Sequence, residues 1–268
     1  MKTQQSFISF QENYNLQEIS SLMQAWRKTL LAPQDGMWES LRSFATQWEI
    51  KVDEQLVGYA SVDEQNRLLQ FYLASEWQQI GLDIFAAFIE QQQIKQALIG
   101  THNPIALSLG LHFQQSLQID TYLFEDHLEV ALAPKSGVFR AAETTELAKI
   151  VEFYHQSMDA PRDWLNDYLS GHISKGEVFF LEQEGEVLGA CEVRRSATNP
   201  EVADIGMVVS PACRKQGYGS FMLGKAKAKA IEWGRRPICS CEKGNTGSLK
   251  SIQNNGFRSL HQLLLMEF

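Results

Sequence analysis

A basic segment spaced by glycines, residues 214–219, is the part of the sequence best suited to hold an anion. It reads Arg-Lys-Gln-Gly-Tyr-Gly, follows an apolar run that ends at Ser210-Pro211, and precedes a segment of helical composition. Unpaired N–H groups and the dipole at a helix start attract negative charge. Glycines let the backbone approach a phosphate closely, and Arg214 and Lys215 add positive charge. The segment therefore predicts a diphosphate site.

Two widespread phosphate-binding motifs do not fit this segment. A dinucleotide fingerprint requires Gly-x-Gly-x-x-Gly, and Met222 stands where the third glycine should be. A P-loop requires Gly-x₄-Gly-Lys-[Ser/Thr], and residues 219–226 read Gly-Ser-Phe-Met-Leu-Gly-Lys-Ala, without the hydroxyl that binds magnesium. The sequence therefore argues against a nicotinamide dinucleotide and against a nucleoside triphosphate.

The remaining pattern, Arg-x-x-Gly-x-Gly at 214–219, resembles the (Arg/Gln)-x-x-Gly-x-(Gly/Ala) signature of the GNAT superfamily of N-acetyltransferases, which bind acetyl-coenzyme A (acetyl-CoA). Downstream, Asn-x-x-Ser at 245–248 and Gly-Phe at 256–257 resemble the Asn…Gly-Phe segment of that family. The resemblance covers residues 138–268 well and residues 1–130 only as a degenerate copy. It implies an acyltransferase with acetyl-CoA as its co-substrate.

The resemblance also implies which residues contact acetyl-CoA. In the family, the strand before the loop splays from its neighbour and its backbone pairs with the pantetheine amides. The implied pantetheine contacts are Met207, Val208 and Val209. The implied pyrophosphate contacts are Arg214, Lys215, Gln216, Gly217, Tyr218, Gly219 and Ser220. Asn245 and Ser248 would line the far side of the cofactor, and Lys250 is either a contact of the nucleotide phosphate or, more commonly, a solvated helix lysine.

Acetyl transfer to an amine needs a base for the amine proton and a donor for the developing oxyanion. Many relatives carry a carboxylate near the position of Asp204, which makes it the first candidate for the base. Glu192 is the second candidate and Glu201 a weaker third, and each could instead be a solvated carboxylate or a partner of the arginines at 194–195. The oxyanion donor would be a backbone N–H near Val208.

The group that protonates the leaving thiolate is missing from its usual place. Many relatives have a tyrosine about five residues before the phenylalanine of Gly-Phe, and this chain has Ile252 there. Water or a residue from elsewhere would then serve. Residues 143–174, the variable region of the family, should hold the acceptor. The polar and aromatic candidates there are Tyr154, His155, Asp159, Arg162, Asp163 and Trp164.

The predicted function is transfer of an acetyl group to the primary amine of a small molecule or amino-acid-like acceptor, by direct attack in a ternary complex. Two alternatives stay open: acetylation of a peptide N-terminus or lysine, and a non-catalytic CoA-binding module. No metal is predicted, because Cys239 and Cys241 have one residue between them, whereas zinc sites usually have two to four.

The elements that must position these residues follow a recognisable order. We predict a strand at 138–142, helices at 143–158 and 161–174, two strands within 176–197, and at 201–210 a central strand buried on both faces. The loop, a helix ending near Trp233, a strand, a short helix and a last strand complete this half.

Residues 1–130 repeat that order. Leu56-Val57-Gly58 matches Val187-Leu188-Gly189, but Glu76–Asp83 replaces the phosphate loop and keeps one glycine. Each of its two carboxylates would repel a pyrophosphate by about 1–4 kcal/mol. We therefore expect an α/β fold of two tandem GNAT-like domains, each a mixed, mostly antiparallel sheet flanked by helices, with a first domain that does not bind CoA.

Composition limits the classes of partner. The chain has 268 residues and a net charge of −8, which argues against a nucleic-acid partner. No apolar run approaches a membrane span or a signal peptide, so we expect no membrane partner and a cytoplasmic location. The linker is expected at 125–137, partly as a strand, because duplicated mixed sheets can share edges. Two copies in one chain predict either a monomer or a homodimer.

Overall fold

The computed structural model describes residues 7–36, 38–39 and 44–268. Its packing divides the chain into two units. Unit 1 contains the described residues up to Tyr122 together with His261–Phe268, and unit 2 contains Leu123–Leu260. Within the described ranges, no helix has the length and apolar character that crossing a bilayer requires.

Unit 1 is a mixed sheet with helices. Its elements are β1 (Ile8–Asn13), α1 (Leu16–Thr29), β2 (Thr46–Val52), β3 (Gln55–Val62), β4 (Arg67–Leu73), a 3₁₀ segment (Ser75–Ile80), α2 (Gly81–Gln91), β5 (Gln96–Gly100), α3 (Pro104–Phe113) and the start of β6 (Ser116–Asp126). Strands β1 to β4 are antiparallel neighbours, and β5 pairs with β4 in parallel. The end of β12 (Phe257–Glu267) completes this sheet, since Leu263 pairs with Gly100 and Glu267 with Gln96.

Aromatic side chains fill the core of unit 1 under α2. Phe71 of β4 meets Phe85 of α2 edge-on, with ring centres 4.9 Å apart. Phe88, three residues further along the helix, packs on the same strand residue at 5.8 Å. The i, i+3 spacing of Phe85 and Phe88 places both on one helix face. This burial fixes α2 against the sheet.

A histidine pair lies where β12 joins unit 1. His102 is 2% exposed, and its ring centre is 6.1 Å from that of His261. Among the described residues neither ring nitrogen of His102 has a hydrogen-bond partner. Burial, and secondarily the proximity of His261, lowers the pKa of His102 from 6.5 to about 4. His102 is therefore neutral at physiological pH.

Unit 2 has a similar element order, with a 3₁₀ turn and two helices between its first two strands. Its elements are β7 (Val138–Ala141), a 3₁₀ turn (Thr144–Glu146), α4 (Leu147–Met158), α5 (Arg162–Ser174), β8 (Val178–Gln183), β9 (Glu186–Arg195), β10 (Val202–Val209), a 3₁₀ turn (Pro211–Cys213), α6 (Tyr218–Glu232), β11 (Arg236–Glu242), α7 (Thr246–Asn254) and the start of β12. Strands β7 to β10 are antiparallel neighbours, and β10 pairs with β11 in parallel. The predicted fold class is confirmed.

The segment after β6, expected as a linker, belongs to unit 2 and packs closely on its other elements. A Cβ on Gly224 of α6 would lie 2.1 Å from Leu132, and one on Gly256 would lie 2.3 Å from the Leu128 carbonyl oxygen. Lys227 Nζ donates to the Leu128 carbonyl at 2.6 Å. Glycines at these two positions let the segment lie against α6 and the start of β12.

Candidate active site

The predicted phosphate loop has the backbone form that glycine and a helix start provide. Lys215 and Gly217 both have left-handed backbone, with φ of 60° and 83°. Gly217 is the N-cap of α6, so no side chain caps the first N–H groups of this helix. Arg214 donates to the Ser157 carbonyl at the end of α4. Loop and helix start thus form a concave, positively charged turn.

The strand that leads into the loop separates from one neighbour. Strand β10 pairs with β11 only from Val202 to Asp204, but it pairs with β9 as far as Val209. The predicted burial of the whole strand is therefore wrong, because Val202–Ile205 is buried and residues 206–209 are partly exposed. The divergence leaves a cleft edge at Met207, Val208 and Val209.

Helix α7 packs directly on the first turn of α6. A Cβ on Gly219 would lie 2.8 Å from Ser251 Oγ, which explains a glycine at this position. Asn255 Nδ2 donates to the Ser220 carbonyl at 2.9 Å. Asn245 is the N-cap of α7, where its side chain accepts from the Ser248 N–H at 3.0 Å. Asn245 and Ser248, both predicted to line the far side of the cofactor, thus form the N-cap hydrogen bond of α7 next to the loop.

Glu192, the second candidate base, is held by several donors. The Tyr154 hydroxyl donates to Oε1 at 2.8 Å, and the Tyr168 hydroxyl donates to Oε2. Arg194 Nη1 donates to Oε2 at 2.6 Å and to the Tyr168 hydroxyl oxygen at 2.8 Å. Burial would raise the pKa of Glu192, but the Arg194 charge and the two hydroxyls outweigh burial and lower it. The carboxylate is therefore ionised and already engaged.

Asp204 lies on the same face of the sheet as Glu192. It is 1% exposed and pairs with Arg194 across the β9–β10 ladder. Glu192 pairs in turn with Gly206, and directly opposed residues of an antiparallel pair point to one side. Tyr154 and Tyr168 show that this side is covered by α4 and α5. Two carboxylates and one guanidinium therefore share this face.

Of the candidates predicted in residues 143–174, the structure brings two toward this face. Tyr154 bonds to Glu192, and Trp164, 53% exposed, stacks on Tyr168 with ring centres 5.0 Å apart. The remaining candidates lie elsewhere: His155 contacts the Ala160 carbonyl, Asp159 ends α4, Arg162 pairs with Glu152, and Asp163 lies in the first turn of α5. The Glu201 side chain is exposed, before β10.

Sequence reasoning missed Tyr168 and Lys135, whereas it did give Arg194 as a possible partner of Glu192, which the structure shows. Tyr168 follows Trp164 by four residues on a helix, a spacing that places both on one side. Lys135 Nζ donates to the Gln216 carbonyl oxygen of the loop at 2.6 Å. No local sequence pattern predicts that contact. Ile252, in the usual tyrosine position, is 2% exposed and belongs to the core.

Equivalent hydrogen bonds align the loops of the two units. Ala74 N–H donates to the Val57 carbonyl, as Ser210 N–H donates to that of Leu188. The next bonds, Trp77 to Ala74 and Cys213 to Ser210, match as well. This alignment sets Gln78, Gly81 and Asp83 at the positions of Arg214, Gly217 and Gly219.

The unit 1 loop has nevertheless a different form. Gly81 has helical backbone, with φ of −60°, and none of the residues 74–91 has a positive φ. Asp83 puts a carboxylate in the first turn of α2. Unit 1 therefore lacks both the turn and the charge that the unit 2 loop offers to an anion.

The sheets differ at the matching place too. Ser61 and Gln70, paired across β3 and β4, stand where unit 2 has Glu192 and Gly206. The Ser61 hydroxyl donates to Gln47 at 2.6 Å, and the Tyr59 hydroxyl donates to Gln70 at 3.2 Å. These buried amides fill the face that in unit 2 carries the carboxylates.

Two protein-family models match the chain. "Acetyltransferase (GNAT) domain" matches residues 15–127, and "Acetyltransferase (GNAT) family" matches residues 140–257. No curated protein matches significantly.

Solved structures are similar over nearly the whole chain. An acetyltransferase from the GNAT family of Colwellia psychrerythraea is 27% identical, with a TM-score of 0.92, covering 97% of this chain and 99% of its own. A GCN5-related N-acetyltransferase from Sphaerobacter thermophilus is 16% identical, with a TM-score of 0.69, covering 97% and 95%. A tandem GNAT protein from the clavulanic acid biosynthesis pathway is 13% identical, with a TM-score of 0.64, covering 97% and 98%.

Proposed function

The chain belongs to the GNAT acetyltransferases and carries two GNAT domains in tandem, and we propose that its second domain, residues 138–268, is the catalytic one. It transfers an acetyl group from acetyl-CoA to the primary amine of a small or amino-acid-like molecule. The observation that carries this proposal is the left-handed turn at Lys215 and Gly217, placed next to the divergence of β10 from β11.

The residues present fit acetyl-CoA. The N–H groups of the loop and of the first turn of α6 suit a pyrophosphate, since they are uncapped and carry positive dipole charge. The backbone of Met207–Val209, free of the β11 ladder, suits the pantetheine amides. Bound acetyl-CoA supplies the thioester. The chain holds it and aims the amine at the carbonyl.

We assign the proton-accepting role to Asp204. Its carboxylate is buried on the face that α4 and α5 cover, beside the splayed end of β10. Glu192 suits a positioning role better, because its lowered pKa makes it a weak base and its oxygens already accept three hydrogen bonds. A backbone N–H near Val208 would stabilise the developing oxyanion.

The charge of this face favours an amine acceptor. Two carboxyl groups, Asp204 and Glu192, share this face with one guanidinium, Arg194, which already pairs with Glu192, so an ionised Asp204 gives the face net negative charge. The stacked pair of Trp164 and Tyr168 adds an aromatic wall, and aromatic faces attract cations. A primary ammonium group is the chemistry that such a face recognises.

The first domain, residues 1–130, has a supporting role in this proposal. Its loop lacks left-handed residues and carries Asp83, and amides of Gln47 and Gln70 fill its inner face. The full chain should therefore bind one acetyl-CoA. Calorimetry on the full-length Gly217→Glu variant should detect no binding, and residual micromolar binding would contradict the silent first domain.

A thiol-release assay with small amines, amino acids and basic peptides tests the function. We expect turnover of at least one small amine by the wild type and none by Gly217→Glu. Exclusive turnover of peptides would move the assignment to a peptide or lysine acetyltransferase. Tight acetyl-CoA binding without turnover of any acceptor would favour a non-catalytic CoA-binding module. This alternative is tested because buried Ile252 occupies the position of the usual tyrosine.

A further inference from the structure

A cleft of ≈ 450 Å³ lies beside the phosphate loop in unit 2. Its walls come from the segment before β7, from β7 and β8, and from α6. They contain two lysines, two phenylalanines and aliphatic side chains, which include Lys135, Lys225, Phe139, Phe221, Leu132 and Leu181. None of these residues belongs to the loop signature.

The two lysines carry positive charge against aromatic rings. Lys225 Nζ lies 5.5 Å from the ring centre of Phe139 and 5.4 Å from that of Phe221. Lys135 Nζ lies 4.8 Å from the ring centre of Tyr218. Within the part of the chain that the structure describes, neither lysine forms an ion pair with a carboxylate. Their charges are therefore uncompensated.

The cleft is continuous with the phosphate loop. Lys135 lines the cleft and also donates to the Gln216 carbonyl oxygen at 2.6 Å. A Cβ on Gly217 would lie 3.4 Å from Lys135 Nζ. Leu132, seated on Gly224 of α6, holds the wall that contains Lys135. A ligand that leaves the pyrophosphate turn on this side enters the cleft.

We propose that this cleft binds the nucleotide end of coenzyme A, with the 3′-phosphate between Lys135 and Lys225 and the adenine against Phe139 and Phe221. The inference rests on the proposed acetyl-CoA binding of the same domain. A phosphate dianion matches two uncompensated ammonium groups, and an adenine face matches the aromatic wall. A purely apolar ligand would leave both charges unmatched.

Calorimetry on the full chain with CoA and with dephospho-CoA, which lacks the 3′-phosphate, tests the site. The wild type should bind CoA about tenfold more tightly than dephospho-CoA, the scale of one strong charged contact. Lys225→Met keeps the stem that packs on the phenylalanines but removes the charge, and should bring this ratio to about 2. Lys229→Met is the matched control one turn along α6, where the lysine pairs with Glu232, and should keep the wild-type ratio.

Two results would show that the cleft does not bind the nucleotide end of CoA, while leaving the proposed function intact. One is a Lys225→Met variant that still prefers CoA to dephospho-CoA as strongly as the wild type does. The other is a loss of the ratio in Lys250→Ala, which would move the nucleotide phosphate to the exposed α7 lysine. If the wild type binds neither CoA nor dephospho-CoA, the proposed function itself fails. Phe139→Leu should weaken the binding of CoA and of dephospho-CoA equally. Unchanged affinities for both would show that the adenine does not bind in this cleft.

Discussion

Glu192 and Gly206 lie directly opposite each other in the β9–β10 ladder, so a buried carboxylate faces a position without a side chain. A Cβ on Gly206 would come no closer than 3.8 Å to another residue, and that neighbour is Arg194 Nη1. The absence of a side chain at Gly206 thus leaves an open space beside the Glu192 carboxylate. The matching place in unit 1 holds Gln70.

Filling that space should affect acceptor binding alone. We expect Gly206→Gln to raise the acceptor KM about tenfold or more, a cost of about 1–2 kcal/mol, with acetyl-CoA affinity unchanged. Gly206→Ala is the control, since its Cβ makes only ordinary contact, and its KM should stay within about twofold. Steady-state kinetics and calorimetry supply both readouts, and an unaffected KM in Gly206→Gln would place the acceptor elsewhere.

The two carboxylates should fail in different ways. Asp204→Asn should lower kcat by about 10²–10⁴, as expected for loss of a general base, with little change in acetyl-CoA affinity. Glu192→Gln removes the buried ion pair between Glu192 and Arg194 and should cost about 3 kcal/mol of stability, with a smaller effect on kcat. Kinetics and urea unfolding measure the two effects. The reverse pattern would make Glu192 the base.

The two ends of α6 offer a matched pair of glycines. Gly217 and Gly234 both have left-handed backbone, with φ of 83° and 69°. Alanine at either position should cost about 1 kcal/mol of stability. Only Gly217→Ala should also weaken acetyl-CoA binding, by about tenfold, because only this residue shapes the loop. Equal acetyl-CoA affinities in the two variants would show that the loop does not contribute to acetyl-CoA binding.

His102 should make the protein less stable in acid. Its pKa is about 4 in the folded chain against 6.5 ordinarily, so between these values the unfolded chain binds a proton that the folded chain does not. Stability is therefore full above pH 6.5 and falls as the pH drops toward 4, by up to about 3 kcal/mol. Urea unfolding from pH 7.5 to 4.5 should show this slope.

His102→Gln should flatten that slope. His112→Gln is the control, because His112 lies exposed on α3, the helix that begins just after His102. An unchanged slope in His102→Gln would assign the acid sensitivity to other groups.

The sequence predicted the tandem arrangement and the fold class because the signals for both are local. The Gly58 and Gly189 anchors and the loop signature at 214–219 each lie within a few residues, and periodicity indicated the helices at 143–158 and 161–174. The structure places these helices at Leu147–Met158 and Arg162–Ser174.

What the sequence could not predict depends on contacts between distant residues. The bonds of Tyr154 and Tyr168 to Glu192 join residues more than twenty positions apart. The contact of Lys135 with Gln216 spans a still longer interval. The role of Asp204 and the cofactor contacts stay predictions, because they concern bound molecules whose positions depend on such contacts.

The course of β12 has a consequence for the order in which the protein is made. His261–Phe268 follow unit 2 along the chain but form a strand of unit 1, next to β5. Most of unit 1 is synthesised before unit 2, yet its sheet stays incomplete until residues 261–268 have been added after unit 2. A nascent chain paused anywhere before residue 261 thus presents the open edge of β5, a hazard that free strand edges carry.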